Sequence, residues 1–232
     1  MMDFSNYKNI FIPEGEVAVI SRGDEILWQK QTSRLPLEFQ EVEYIESTGT
    51  QYIDTGFVPN QDTRVITDHF YTKQPQNRGF VYGAGASATD RAFEMYTWGA
   101  NWNSPYGNTN ITMTPSTSSL FVSGKINADK NKNNITITYP DGTSQTKSCP
   151  YVTFIAPRNM WLFAINRGNL SVDFRANCVQ LYFCKIWDNG TLVREFIPCY
   201  RKSDEKPGMY DMITGTFFTN VGTGEFKVGD DI

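Results

Sequence analysis

The dominant period along this chain is two. From Thr63 to Tyr71, Val65, Thr67 and His69 alternate with Ile66, Asp68 and Phe70. That spacing puts successive side chains on opposite faces of a β-strand. His69 is expected to be partly buried there. The same rhythm predicts strands at Glu41–Glu46, Gln51–Thr55, Phe80–Tyr82, Ala92–Trp98, Leu120–Val122 and Ile135–Tyr139, then at Tyr151–Ile155, Met160–Ile165, Val179–Trp187 and Leu192–Ile197. In the first of these, Val42 and Tyr44 share one face and Glu41 and Glu43 the other. Turn chemistry separates the runs. Pro140-Asp141-Gly142 ends one, and Asp188-Asn189-Gly190 joins two others as a hairpin. Asp129–Asn134 reads as a hairpin tip. About twelve strands with regular turn signals and no interleaved amphipathic helices predict an all-β sandwich or barrel. A jelly roll of two curved sheets is the natural choice, although periodicity alone does not separate it from an immunoglobulin-like array.

Residues 1–34 stand apart from this array. Pro13 keeps the run before it extended, Val17–Ile20 and Ile26–Trp28 read as two strands, and Arg22-Gly23-Asp24 reads as the turn between them. A lone hairpin has too thin a core to stand without a partner surface. It is therefore expected to be an attachment module, with Ile10, Ile12, Val17, Val19 and Trp28 supplying its contacts. Lys30–Pro36 reads as linker, and residues 35–232 as the main domain.

Composition agrees with a sheet protein. Aromatic residues make up 14% of the chain, and 18 Gly and 11 Pro punctuate it. The net charge of −4 and the lack of any basic run longer than two residues argue against a nucleic-acid partner. No segment is long and apolar enough to insert in a membrane as a helix, and the N-terminus lacks the apolar core of a secretory signal. Cys149, Cys178, Cys184 and Cys199 form no CxxC pair. They are read as free and buried in strands, with a disulfide between neighbouring strands as the minor reading. Asp54, Asp68, Asp173 and Asn177 have oxygen ligands of the type Ca²⁺ takes, but no compact acidic loop gathers them. No metal site or cofactor is expected.

One stretch departs from the average. Met95–Gly124 contains no Asp, Glu, Lys or Arg, yet it holds Trp98, Trp102 and Tyr106 among Asn101, Asn103, Asn108 and Asn110. Aromatic faces beside amides suit carbohydrate, because a pyranose lays its C–H face on a ring while amides bond its hydroxyls. Trp102, Tyr106, Trp98, Asn101 and Asn103 are the expected sugar-binding residues. Trp102 is the better surface candidate, whereas Trp98, at a strand end, also fits the core. The alternative is a long loop whose rings pack on the domain or on a neighbouring subunit. Glu41-Val-Glu-Tyr-Ile-Glu46 faintly resembles the Glu-x-Asp-x-x-Glu strand of jelly-roll glucanases, but its middle acid departs, with Glu43 in place of the Asp. Retaining hydrolysis needs two carboxyls about 5 Å apart, and a solvated strand face explains these glutamates. No catalytic residue is assigned, and the chain is read as a non-enzyme.

Two segments carry a family resemblance. Val42–Gly56, VEYIESTGTQYIDTG, resembles the opening of the LamG-like or concanavalin-A-like jelly-roll domain of phage and prophage tail-associated structural proteins from gut Firmicutes. Lys185–Gly224 resembles its close, with KIWDNGTLVREFIPCYR, then Lys206–Met212, Gly215–Asn220 and Gly222–Phe226. The N-terminal IPEGEVAVI and EILWQK resemble a short leader of phage tail proteins, while residues 60–175 match only in strand rhythm. In the closing block, Gly215 is expected at positive φ, Asp211 is expected to accept backbone N–H bonds across the turn, and Phe217 or Phe218 is expected to cover an open end.

The resemblance implies a virion structural protein of tail, baseplate or fibre. It would partner other phage structural proteins and its own copies, as a homo-oligomer and by family analogy a trimer, and would contact a host-surface glycan. The implied location is the virion, and the host cytoplasm during assembly. A purely architectural decoration protein and a degenerate glycan hydrolase are the alternatives.

Overall fold

The structure is a computed structural model that describes residues 19–22, 25–29, 34–75, 78–115, 124–168 and 178–232. The chain divides into two compact units, residues 1–37 and 38–232. In the first, β1 (Val19–Arg22) and β2 (Glu25–Gln29) form an antiparallel hairpin, with Ile20 opposite Trp28 and a bulge after Ile20. Of the five expected attachment residues, Val19 and Trp28 lie on these strands, while Ile10, Ile12 and Val17 lie outside the described residues.

The second unit holds β3 (Phe39–Glu41), β4 (Ile45–Ser47), β5 (Ile53–Asp54), β6 (Arg64–Tyr71), β7 (Arg78–Ala84), β8 (Ala92–Trp98), β9 (Asn101–Gly107), β10 (Thr109–Met113) and β11 (Ile126–Asn131). These are followed by β12 (Asn134–Thr138), β13 (Ser144–Ser148), β14 (Trp161–Leu162), β15 (Val179–Asp188), β16 (Thr191–Arg201), β17 (Lys206–Asp211), β18 (Thr216–Thr219) and β19 (Lys227–Val228). They form two sheets. The smaller runs β10-β9-β8-β7-β14-β5, and the larger runs β13-β12-β11-β6-β15-β16-β17-β18, with β3 on β16 and β4 between β15 and β19. Every strand pair is antiparallel. The chain leaves and re-enters each sheet repeatedly: β5 and β7–β10 lie in one, β6 and β11–β13 in the other. This is the all-β, concanavalin-A-like jelly-roll sandwich that the strand rhythm and the family-like ends led us to expect.

One apolar layer fills the space between the sheets. Phe93, Met95, Trp102 and Tyr106 from the smaller sheet belong to the same buried cluster as Val65, Ile126, Ile137, Leu181, Ile186 and Phe196 from the larger. Burying such side chains contributes about 1.5–3 kcal/mol each. In β6 the alternation is complete: Val65, Thr67 and His69 are buried, and their neighbours are half-exposed. His69 is 0% exposed, deeper than the sequence suggested.

Other elements differ from expectation. The predicted strand Glu41–Glu46 is broken, because Val42 makes an isolated bridge to Asp231 between β3 and β4. Val42 and Ile45 are both buried, so Val42 and Tyr44 do not share a strand face. Tyr151–Ile155 forms no strand and contributes one bridge, Ile155 to Asn60. Met160–Ile165 shortens to two residues, and Phe163 turns to φ +64. Leu120–Val122 lies outside the described residues. No disulfide joins the four cysteines, with Cys178, Cys184 and Cys199 buried and Cys149 half-buried.

The closing block behaves as its turn chemistry implies. Gly215 has φ +65. Asp211 Oδ1 accepts the Glu195 N–H at 2.8 Å and the Ile213 N–H at 3.2 Å, and Oδ2 accepts the Thr214 hydroxyl at 2.7 Å. Phe218 packs on Phe196, and Phe217 on Phe39. Asp211→Ala removes one carboxylate that satisfies three donors, one on β16 and two in the turn between β17 and β18. It is expected to cost about 2 kcal/mol, read as a lower denaturant midpoint with an unchanged slope.

Candidate functional site

The smaller sheet has two faces with different contents. Phe93 and Met95 point into the core, whereas Phe80, Tyr96 and Ile165 form a separate buried cluster. Residues alternate across a strand, so Glu94, Tyr96 and Trp98 lie on the outer face of β8. On β9, Trp102 and Tyr106 are core residues, which leaves Asn101 and Asn103 on that same outer face. Strand register then sets two rows. Phe80, Tyr96, Asn103 and Thr112 stand opposite one another across β7, β8, β9 and β10, and Arg78, Trp98 and Asn101 form the second row.

The amides of these rows are linked. Asn103 Oδ1 accepts Asn110 Nδ2 and the Thr112 hydroxyl, both at 3.1 Å, and Asn101 Oδ1 accepts the Thr114 hydroxyl at 2.8 Å. Asn103 is buried under this network, while Asn110 and Thr112 are exposed at its rim. Trp98 stands 57% exposed at the end of the second row. The Arg78 guanidinium lies over it, 4.9 Å from the ring centroid, and 5.7 Å from that of Tyr96.

Beneath the rows lies a buried ion pair. Arg167 Nη2 donates to both oxygens of Glu94, at 2.8 and 3.0 Å, and Glu94 is fully buried. Burial pushes the Glu94 carboxyl up to about 7, against the pull of the Arg167 charge beside it. On the core side, Lys130 of β11 crosses to the smaller sheet. Its ammonium donates to Ser104 Oγ at 2.6 Å and to the carbonyls of Pro105 and Ser104 at 3.1 and 3.3 Å. It lies over the Phe93 ring, and burial pulls its pKa down to about 7.

The five expected sugar-binding residues are therefore split. Trp98 and Asn101 reach the outer face near solvent, and Asn103 lies on it but is covered. Trp102 is 2% exposed and Tyr106 0% exposed, both in the core. The expectation that Trp102 is the surface ring is corrected: Trp98 is. Over residues 95–113 the charge-free stretch is strand and tight turn rather than a long loop. Gly99 and Ala100 form a two-residue turn between β8 and β9, with Gly99 at φ +58. Trp98 consequently pairs with Asn101 and faces outward, while Trp102 pairs with the buried Thr97 and faces inward. Arg78, Glu94 and Arg167 were not legible as part of this surface. The available signal was the pairing of Trp98 with Asn101 that a tight Trp98-Gly99-Ala100-Asn101 hairpin enforces.

The acidic residues considered from sequence lie elsewhere. Glu41 is buried at the end of β3, and Glu43 is exposed outside any strand. Asp54 caps the Gly56 N–H at 2.9 Å, Asp68 accepts Asn127 Nδ2 at 2.7 Å, and Asp173 and Asn177 lie outside the described residues. Among the described residues, no group of three His, Cys, Asp or Glu is placed to hold a metal ion.

No family model matches the chain, and no curated protein matches it. Solved structures do match, among them the mouse laminin alpha1 chain, domains LG4-5. That match covers 75% of this chain at 17% identity, with a TM-score of 0.46. It covers 48% of the laminin structure, so the present chain spans about half that length. The likeness is one of chain path, and the fold described above rests on sheet order and register.

Proposed function

We propose that this chain is a non-enzymatic, carbohydrate-binding structural protein of a virus particle, which meets host-surface glycan through the outer face of its smaller sheet. The observation that carries the binding reading is the exposed Trp98 ring set beside rows of Asn and Thr side chains. A ring face open to solvent gives a pyranose its C–H stacking surface, and Asn110 and Thr112 at the rim give its hydroxyls donors and acceptors. The particle context is supported by the family-like segments Val42–Gly56 and Lys185–Gly224. On that reading the partners are other phage structural proteins and further copies of the chain, up to a trimer. The chain would reside in the virion after assembly in the host cytoplasm. Repeated copies compensate for weak single sites.

The non-enzymatic reading is supported by the state of the carboxylates. Glu94 is fully buried with both oxygens held by Arg167, and Glu41 and Glu43 share no strand face.

The test is retention of the full chain, multimerised on beads, by a panel of cell-wall and capsular glycans. Trp98→Ala is expected to lower retention about tenfold, the scale of one aromatic stacking contact. A panel with no binder favours the architectural alternative. Binding unchanged by Trp98→Ala moves the site elsewhere. Release of reducing sugar would overturn the non-enzymatic reading.

A further inference from the structure

Three arginines in the second unit stack on aromatic rings among the described residues, and two of them are also held by an acid. Arg64 lies 5.1 Å from the Trp187 centroid, and Asp129 grips it at 2.9 and 2.6 Å. Arg201 lies 5.6 Å from the Phe217 centroid, and Asp204 grips it at 3.0 and 2.7 Å. Arg78 is the exception. It lies over Trp98 and Tyr96, and among the described residues its guanidinium meets no carboxylate. It is only half-exposed, so its charge is screened less by solvent than that of a free surface arginine.

Its described surroundings supply no acid. Met95–Gly124 supplies two adjoining strands and contains no acid. Of the carboxylates on this face among the described residues, Glu94 has both oxygens committed to Arg167, and Asp54 of β5, beyond Trp161 and Gly83 in the row of Glu94, caps the Gly56 N–H. Arg78 is therefore a cationic group with no carboxylate beside it among the described residues, on a chain whose net charge is −4. A guanidinium fixed by ring stacking keeps its planar fork free for an oxyanion, and a bidentate contact of that kind is strong and directional.

We infer that the glycan taken by this face is an acidic one, whose carboxylate, sulfate or phosphate is bound by Arg78 while its sugar ring lies on the open side of Trp98. The inference rests on the carbohydrate reading above and adds the ligand's charge and the residue that selects it. Arg78 fixes the position and Trp98 supplies the platform. The anion replaces the acid that Arg64 and Arg201 find within the chain.

The experiment compares retention of the full chain on polygalacturonate, heparin and neutral dextran, for wild type, Arg78→Gln and Arg78→Lys. Wild type is expected to favour at least one acidic polymer over dextran about tenfold, the scale of one charge-assisted bidentate contact. Raising salt from about 0.05 M to about 0.5 M should erase that preference. Arg78→Gln should remove it, and Arg78→Lys should keep part of it, because the charge stays while the fork is lost. Preference for polygalacturonate alone assigns a carboxylate, and preference for heparin alone a sulfate. Equal retention on acidic and neutral polymers, or a preference untouched by Arg78→Gln, overturns the inference and leaves the carbohydrate reading standing. Retention on none of the three, with none on the wider glycan panel, overturns both.

Discussion

Lys130→Ala is expected to destabilise the protein by about 3–5 kcal/mol, and Lys130→Met by clearly less. The side chain starts on β11 in the larger sheet and ends on β9 in the smaller, so it spans the core. It is wholly buried, among Phe93 and Tyr106. Truncation to Ala opens a cavity and strips three oxygen acceptors of their donor at once. Methionine keeps the length and apolar stem, and it also removes the cost of desolvating an ammonium. Replacing a buried charge by an apolar group of similar volume is often nearly neutral.

The pH dependence separates these terms. Burial lowers the folded-state pKa of Lys130 to about 7, against 10.5 for the free group. Between those values the unfolded chain holds a proton that the folded one has released. Stability therefore rises with pH across that window and is lower by the full amount below pH 7. From about pH 7.5 to 9.5 the wild type should gain about 2 kcal/mol that the methionine variant does not. Urea denaturation of the three proteins at both pH values measures this. Equal losses for Ala and Met, with parallel pH curves, would show that Lys130 neither fills the core nor titrates as its burial requires.

Legibility in the sequence followed the range of each interaction. The Asp188-Asn189-Gly190 turn was readable because its determinants are adjacent: Asn189 at φ 45 and Gly190 at φ 83 give the paired positive angles of a tight hairpin. The β6 alternation was readable for the same reason. The outer-face site was only half readable. Its aromatic and amide content announced itself through the missing charges, but which ring faces solvent depends on the parity set by a two-residue turn. Glu94 and Arg167 are 73 positions apart, and Lys130 and Ser104 are 26 apart. The first forms only when the smaller sheet assembles and the second only when the two sheets close, and no local pattern encodes either. Val42 shows the opposite failure. Its local alternation was sound, but a bridge to Asp231 near the far end of the chain overrode it.

His69 should make the protein acid-sensitive between about pH 6.5 and pH 3. The ring is fully buried, edge-on to Tyr71 and Trp102, with Nδ1 at 3.2 Å from the Thr67 hydroxyl and no partner for Nε2 among the described residues. Burial alone lowers its pKa from 6.5 to about 3. Above pH 6.5 the ring is neutral in both folded and unfolded chains and contributes no pH dependence. As the pH falls below 6.5, the unfolded chain takes up a proton that the folded one refuses, so stability is lost until the folded ring protonates near pH 3. The loss attributable to this ring at pH 4 is about 3 kcal/mol. His69→Leu keeps an apolar side chain of similar volume and removes the titration. It should cost about 1 kcal/mol at pH 7, where Thr67 loses its partner. At pH 4 the order should reverse, with the leucine variant the more stable protein. Denaturant midpoints for both proteins at the two pH values decide it. Parallel acid losses would mean that the acid limb belongs to other groups and that the imidazole titrates alike in the folded and unfolded chains.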